Sequence, residues 1–101
     1  MDISDLLNVN PMLVDRIRLS VMVYLAAADA PVTFNTIINE LELTKGNLSS
    51  HMRKLEDAKL VDINKKFVGR RPQTTYQCTK LGKKEMNDYL IAVESVLKNA
   101  L

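Results

Sequence analysis

Apolar and polar residues alternate with two different periods along this chain, and the changes of period mark out its elements. From Asn10-Pro11 onward, Leu13, Ile17, Val21, Tyr24 and Leu25 recur at helical spacing as far as Ala28. This predicts a first helix with Asn10 as its cap and Pro11 at its first position. Asp29-Ala-Pro31 ends it, because Pro31 lacks an amide and biases Ala30 toward extended geometry. Val32 can begin a very short strand, and Thr33 caps a second helix, Phe34–Leu41, with Phe34, Ile37, Ile38 and Leu41 on its inner side. After Glu42-Leu43-Thr44, Thr44 caps a third helix that runs to about Lys59, with a narrow core stripe of Leu48, Met52 and Leu55. The period then falls to two. Val61, Ile63, Lys65 and Phe67 alternate with Asp62, Asn64 and Lys66, Gly69-Arg-Arg-Pro72 breaks the run, and Thr74, Tyr76 and Cys78 alternate on a returning strand. Thr79 caps a last helix from Lys80 to about Asn99, whose apolar stripe includes Leu81, Met86, Tyr89, Leu90, Val93, Val96 and Leu97.

The resulting order is helix, short strand, helix, helix, strand, strand, helix. A short polar-faced helix followed by a basic hairpin is the layout of a winged helix-turn-helix. The predicted class is mainly α (α+β), with a two-stranded β wing and long terminal helices. With 101 residues, positions 1–101 form one domain, too small to add a separate effector domain. The longest apolar run, Val21–Ala28, is too short to span a membrane, and no secretion signal opens the chain. The lone Cys78 excludes an internal disulfide and fits a reducing cytoplasm, where the protein is expected.

Charge sharpens the picture. Thr44 to Lys80 holds nine Lys/Arg and three acids, a net of +6, while the remainder holds five basic and nine acidic residues, a net of −4. The near-neutral total therefore hides a basic segment of the kind that binds phosphate, and double-stranded DNA is the expected partner. With Leu48, Met52 and Leu55 turned inward, Gly46, Ser50 and Arg53 lie opposite, flanked by Lys45, Asn47, Ser49 and Lys54. Small and hydroxyl residues near the helix start permit close approach to base edges, where Asn pairs with adenine and Arg with guanine. The predicted DNA-binding set is Thr44, Lys45, Asn47, Ser49, Ser50, Arg53 and Lys54 on the helix, with Lys65, Lys66, Arg70 and Arg71 on the hairpin. Arg70 and Arg71 at the hairpin tip can enter a minor groove or clamp phosphates. His51 lies about 60° from the centre of the core stripe, so both packing and a DNA contact stay open.

Other chemistry finds little support. Cys78 is in phase with Tyr76 and so faces the core, where a thiol is inert. One His and one Cys make no structural zinc site, and no cofactor is expected. No nucleophile set or glycine-rich phosphate loop appears, Gly46, Gly69 and Gly82 being isolated, so the chain reads as a non-enzyme.

The run Leu43-Thr-Lys-Gly-Asn-Leu-Ser-Ser-His-Met-Arg-Lys-Leu-Glu-Asp-Ala-Lys-Leu-Val61 resembles the recognition-helix segment of small winged-helix transcriptional regulators, the compact relatives of the MarR and ArsR repressors. Phe67, Gly-Arg-Arg-Pro and Thr75-Tyr-Gln-Cys-Thr-Lys-Leu-Gly82 are similar to their wing and the opening of their last helix. The resemblance spans about residues 12–97 and implies a homodimer on a roughly palindromic operator, generally as a repressor. It places Lys45, Asn47, Ser49, Ser50, Arg53 and Lys54 in the recognition helix and Arg70 and Arg71 at the wing tip. Two departures limit it. The cysteine-rich metal motif of ArsR sensors is missing, and so is the acid that accompanies arginine in MarR wings.

Dimerisation is assigned to residues 1–28 and 80–101. Tyr89, Val93, Val96 and Leu97 exceed what one small core needs, and Ile3, Leu6, Leu7 and Val9 form a second apolar cluster. The expectation is a cytoplasmic homodimeric regulator, with the operator, effector and sign of regulation open. The rival is a winged-helix protein-interaction adaptor without specific DNA binding, a use for which the basic asymmetry has no purpose.

Overall fold

The computed structural model describes residues 3–100, with Ile3 described by its backbone alone. Two 3-10 turns, Ile3–Asn8 and Pro11–Leu13, precede α1 (Arg16–Ala28), β1 (Val32–Thr33), α2 (Phe34–Leu41), α3 (Lys45–Asp57), β2 (Val61–Val68), β3 (Arg71–Cys78) and α4 (Lys80–Ala100). The strands form an antiparallel sheet in the order β1-β3-β2. The predicted class holds: a mainly helical winged helix with a two-stranded wing.

Three of the predicted N-caps are in place. Thr33 Oγ1 accepts from the Thr36 amide, Thr44 Oγ1 from the Asn47 amide, and Thr79 Oγ1 from the Gly82 amide. The first helix departs from expectation. Asn10 and Pro11 do open a helical turn, but it stops at Leu13, and α1 restarts at Arg16 behind a different cap. Asp15 takes the Ile17 and Arg18 amides on one carboxylate oxygen, each at 2.9 Å. Arg18, almost fully buried, donates from Nε to the Met12 carbonyl at 2.8 Å and so satisfies a group that the break leaves over.

No glycine closes α1 or α2. Each ends on a residue in the left-handed conformation, Asp29 (φ 48°) and Glu42 (φ 52°), whose amide bonds back to Leu25 and Ile38 respectively. α3 stops at Asp57 rather than Lys59, which is itself left-handed at φ 62°.

The core gathers Leu13, Val21, Met22 and Leu25 with Ile37, the α3 stripe Leu48, Met52 and Leu55, then Leu60, Val61, Tyr76, Cys78 and Met86. Gly82 is the tightest point. A Cβ there would lie 2.3 Å from the Leu60 carbonyl oxygen, 2.9 Å from Cys78 Sγ and 3.0 Å from Met22 Cε, so α4 starts where only glycine fits. Burial raises the pKa of the Cys78 thiol, which suits its expected inert role.

The hairpin turn is tighter than the sequence suggests. Val68 pairs with Arg71 and Phe67 with Pro72, leaving Gly69-Arg70 as a two-residue turn. A positive φ at Gly69 (66°) and none at Arg70 is the pattern of a type II′ turn, the geometry that matches strand twist. Arg71 therefore belongs to the ladder, and Arg70 alone holds the tip. Pro72 is tolerated because β1 ends opposite Thr75, so β3 has one neighbour at that level.

The molecule measures 54 × 25 × 21 Å, drawn out by the 21 residues of α4, about 31 Å of helix. The first 3-10 turn lies along α4. Among the described residues no helix is long and apolar enough to cross a membrane, and none group as metal ligands.

Candidate nucleic-acid interface

α3 carries the candidate interface because its inner stripe is narrow. Leu48, Met52 and Leu55 are buried against the other helices, and this fixes the phase of every other residue on the helix. Lys45, Asn47, Ser49, Ser50, Arg53 and Lys54 are all exposed, as is Thr44 at the cap. Thr44 Oγ1 accepts the Asn47 amide, which leaves its own proton for an outside acceptor. Lys65, Lys66, Arg70 and Arg71 are exposed on the wing.

The unevenness of charge survives folding as an unevenness of pairing. Among the described residues the ion pairs between charged side chains are Arg18–Asp15, Lys83–Asp29, Lys84–Asp88 and Lys98–Glu94. None of the nine Lys/Arg between Thr44 and Lys80 takes part. These cations face solvent without an ion-pair partner among the described residues, whereas Asp15, Asp29, Asp88 and Glu94 of the acid-rich remainder are each paired with a cation.

A cleft of about 610 Å³ opens between the wing and the helix-turn-helix. Ser49 of α3, Lys65 of β2 and Arg71 of β3 line it, so three of the predicted residues come together there. Lys66 does not join them. Lys65 and Lys66 are successive strand residues, so the expected continuous strip of the two does not form on one face of the wing. Arg70 stands apart at the tip, and Arg53 and Lys54 lie farther along α3.

Asn35 and Gln73 also line the cleft and were not singled out from the sequence. Asn35 is an exposed polar residue two positions after the Thr33 cap, in the first turn of α2, where unpaired amides favour an anion. Its position on the outer side of an amphipathic helix was the available signal. Gln73, opposite Lys66 in the ladder, had none beyond polarity.

His51 turns inward. Its Nδ1 lies 3.1 Å from Arg18 Nη1 and 3.9 Å from Asp15 Oδ1. Since Arg18 can only donate, Nδ1 is the acceptor and the proton of the neutral ring sits on Nε2. The histidine thus pins α3 to the start of α1, and of the two roles left open it takes packing within the chain.

Comparison with known proteins agrees with this geometry. Residues 17–97 match the winged helix DNA-binding domain family. The chain belongs to that family. An uncharacterised protein of Methanocaldococcus jannaschii is 32% identical over 66 residues, covering 65% of this chain and 72% of its own. A solved structure described as a transcriptional regulator homologue from Pyrococcus horikoshii superposes with a TM-score of 0.82 at 32% identity, covering 90% of this chain and 89% of that one. The match is compatible with the MarR and ArsR resemblance and broader than it. The winged-helix domain extends into α4, so the wing and the last helix belong to one unit.

Proposed function

We propose that this protein is a homodimeric, sequence-specific transcriptional regulator that acts in the cytoplasm as a repressor on a palindromic operator and has no enzymatic activity. α3 enters the major groove and reads bases with Asn47, Ser50 and Arg53, while Thr44, Lys45, Ser49 and Lys54 seat it on the backbone. The wing reaches the neighbouring backbone or minor groove through Lys65, Lys66, Arg70 and Arg71. The observation that carries this reading is the set of exposed cations on α3 and the wing, without ion-pair partners, in a member of the winged helix DNA-binding domain family. The Pyrococcus structure, described as a transcriptional regulator homologue, supports the regulatory role.

The partner copy docks on residues 1–28 and 80–101. Leu90, Ile91 and Leu97 are exposed on α4, and Leu7 is 86% exposed in the first 3-10 turn. Tyr89, Val93 and Val96, expected to be surplus to the core, are half-buried against their own chain, so the free stripe runs beside them. Leu90 and Leu97 are seven residues apart and share one side of the helix, the spacing of a two-helix seam. A twofold axis here sets the two copies of α3 about one DNA turn apart, ~34 Å.

Selection from random duplex DNA at physiological salt tests the proposal. The expected product is an inverted repeat with half-sites about one turn apart, bound more weakly as salt rises. A folded, dimeric protein that enriches no sequence would contradict it and favour the adaptor.

A further inference from the structure

Beyond Thr33↔Thr75, β3 has only β2 beside it. The pairs from Lys65↔Thr74 to Val68↔Arg71 stand off the body as a two-stranded ribbon roughly 13 Å long. This ribbon displays two large apolar side chains, Phe67 at 73% exposure and Val68 at 54%. Phe67 sits directly opposite Pro72, where Cβ atoms lie about 4.5–5.5 Å apart, so ring and pyrrolidine make one apolar edge next to the turn. Val68 points to the other face.

A single exposed apolar residue is ordinary. What distinguishes Phe67 is its company. Lys65 shares its face, Arg70 follows at the turn, Lys66 and Arg71 stand on the reverse face of the same ribbon, and no carboxylate side chain occurs between Ile63 and Thr79. A second wing, or a neutral apolar protein surface, would repel or desolvate four cations while covering one ring. Duplex DNA offers phosphates to the cations and stacked bases to the ring.

We infer that Phe67, backed by Pro72, is a wedge that enters the minor groove and kinks the duplex, while Arg70 and Arg71 hold the flanking phosphates. The inference rests on the DNA-binding reading above and adds a second source of specificity to it. Apolar side chains inserted between base steps unstack them in part and bend DNA by roughly 20–90°. Pyrimidine–purine steps open at the lowest cost, so the wing selects a deformable step that α3 does not touch.

The test is the bend itself. A duplex of about 30 base pairs bound by the wild type, labelled at its ends with a donor and an acceptor dye, reports the end-to-end distance. The wild type is expected to raise energy transfer, and Phe67→Ala to bind while leaving the duplex nearly straight. Phe67→Leu, still an apolar wedge, keeps most of the bend. A TA step at the contact strengthens wild-type binding severalfold and leaves Phe67→Ala unchanged. Circular dichroism confirms that the variants are folded, as the exposure of Phe67 leads one to expect. A bend equal in wild type and Phe67→Ala overturns the wedge, as does wild-type binding without a bend. Loss of binding to phosphatidylserine vesicles in Phe67→Ala, with the DNA bend intact, also overturns it and assigns the ring to a membrane surface. A wild type that binds no duplex at all overturns the DNA-binding reading and the wedge together.

Discussion

The two halves of this molecule leave opposite kinds of surface unfinished. On α3 and the wing the charges are unpaired, and the apolar residues of the helix are fully used in the core. Around α1 and α4 several charges are paired, as Asp15 with Arg18 and Asp29 with Lys83, while Leu90, Ile91 and Leu97 remain uncovered. One surface lacks counter-charge and the other lacks apolar cover. In the proposed function a polyanion completes the first and a second copy of the chain the second, so its two binding events draw on separate physical forces. Salt weakens the first steeply, and the apolar seam is far less sensitive to it.

The sharpest way to break the comparison is to separate the halves where they meet. Gly82 is that point, with the Leu60 carbonyl oxygen 2.3 Å from the position of an added Cβ. Overpacking of this kind costs about 1–3 kcal/mol, and more against backbone, which cannot step aside as a side chain does. Alanine's advantage in helix propensity, about 1 kcal/mol, does not offset it. Gly82→Ala should therefore unfold at clearly lower urea concentration than wild type. An unchanged midpoint would mean that α4 is not seated as described.

Comparable in size is a pair of changes that ought to act on one surface each. Leu90→Glu puts a carboxylate in the proposed seam. An unpaired buried charge costs roughly 3–5 kcal/mol, so sedimentation should find monomers at concentrations where the wild type is dimeric. The single chain should stay folded by circular dichroism, because Leu90 is exposed in it, with a thermal midpoint lowered only by the loss of association. Replacing both Arg70 and Arg71 by Ala should leave the dimer intact and weaken binding to all sequences. The salt slope should fall by about one for each phosphate that is no longer neutralised. If Leu90→Glu instead left a stable dimer, the seam would have to lie elsewhere.

What the sequence disclosed follows the range of the forces involved. Thr33, Thr44 and Thr79 were legible as caps because a hydroxyl and the amide it accepts are three residues apart. The α3 stripe was legible because burial of Leu48, Met52 and Leu55 repeats with the helix period, and the outward positions of Asn47, Ser50 and Arg53 follow from it. The restart at Asp15 was not legible, since it is braced by Arg18 reaching Met12 and His51, the latter 33 residues away. Arg71 was placed at the tip because Gly-Arg-Arg-Pro reads as one break, whereas turn and ladder divide it after Arg70. Asn35 and Gln73 gain their place in the cleft only from the docking of wing against helix. The ends of α1 and α2 lacked the usual glycine signal because Asp29 and Glu42 take the left-handed conformation themselves.

Lys59 permits a gentler test of that last point. It is exposed and left-handed at φ 62°, between α3 and β2, and its strain falls on the segment that joins the two binding elements. The Lys59 carbonyl, which accepts from Thr79 Oγ1, is retained by any residue. Lys59→Gly should thus stabilise the fold by up to about 1 kcal/mol in urea titration, because glycine adopts this conformation without the Cβ penalty. A loss of stability would show that the lysine stem packs usefully.

The smallest effect expected is an acid limb that belongs to the α1–α4 half. The Arg18 backbone amide, joined by the Ile17 amide and the Arg18 charge, holds the Asp15 carboxyl below its ordinary value of 3.8 against the opposing effect of desolvation. A carboxylate whose folded pKa is depressed contributes stability that is present above its unfolded pKa and is lost as pH falls through the folded one. Asp29, lowered chiefly by its hydrogen bond to Lys83, acts in the same direction at the other end of α1. Asp15→Asn preserves a capping oxygen, since Asn and Asp cap about equally well, but cannot titrate. Its thermal midpoint should lie slightly below the wild type near neutrality, where the carboxylate contributes, and fall less steeply as pH drops below the ordinary carboxylate value, so that the two curves converge. The remaining slope then belongs to Asp29 and other acids, and Asp15→Asn combined with Asp29→Asn should flatten it further. Parallel acid limbs in wild type and Asp15→Asn would place the acid sensitivity outside this cap and remove one distinction between the half of the molecule that holds the ion pairs and the half whose cations are unpaired.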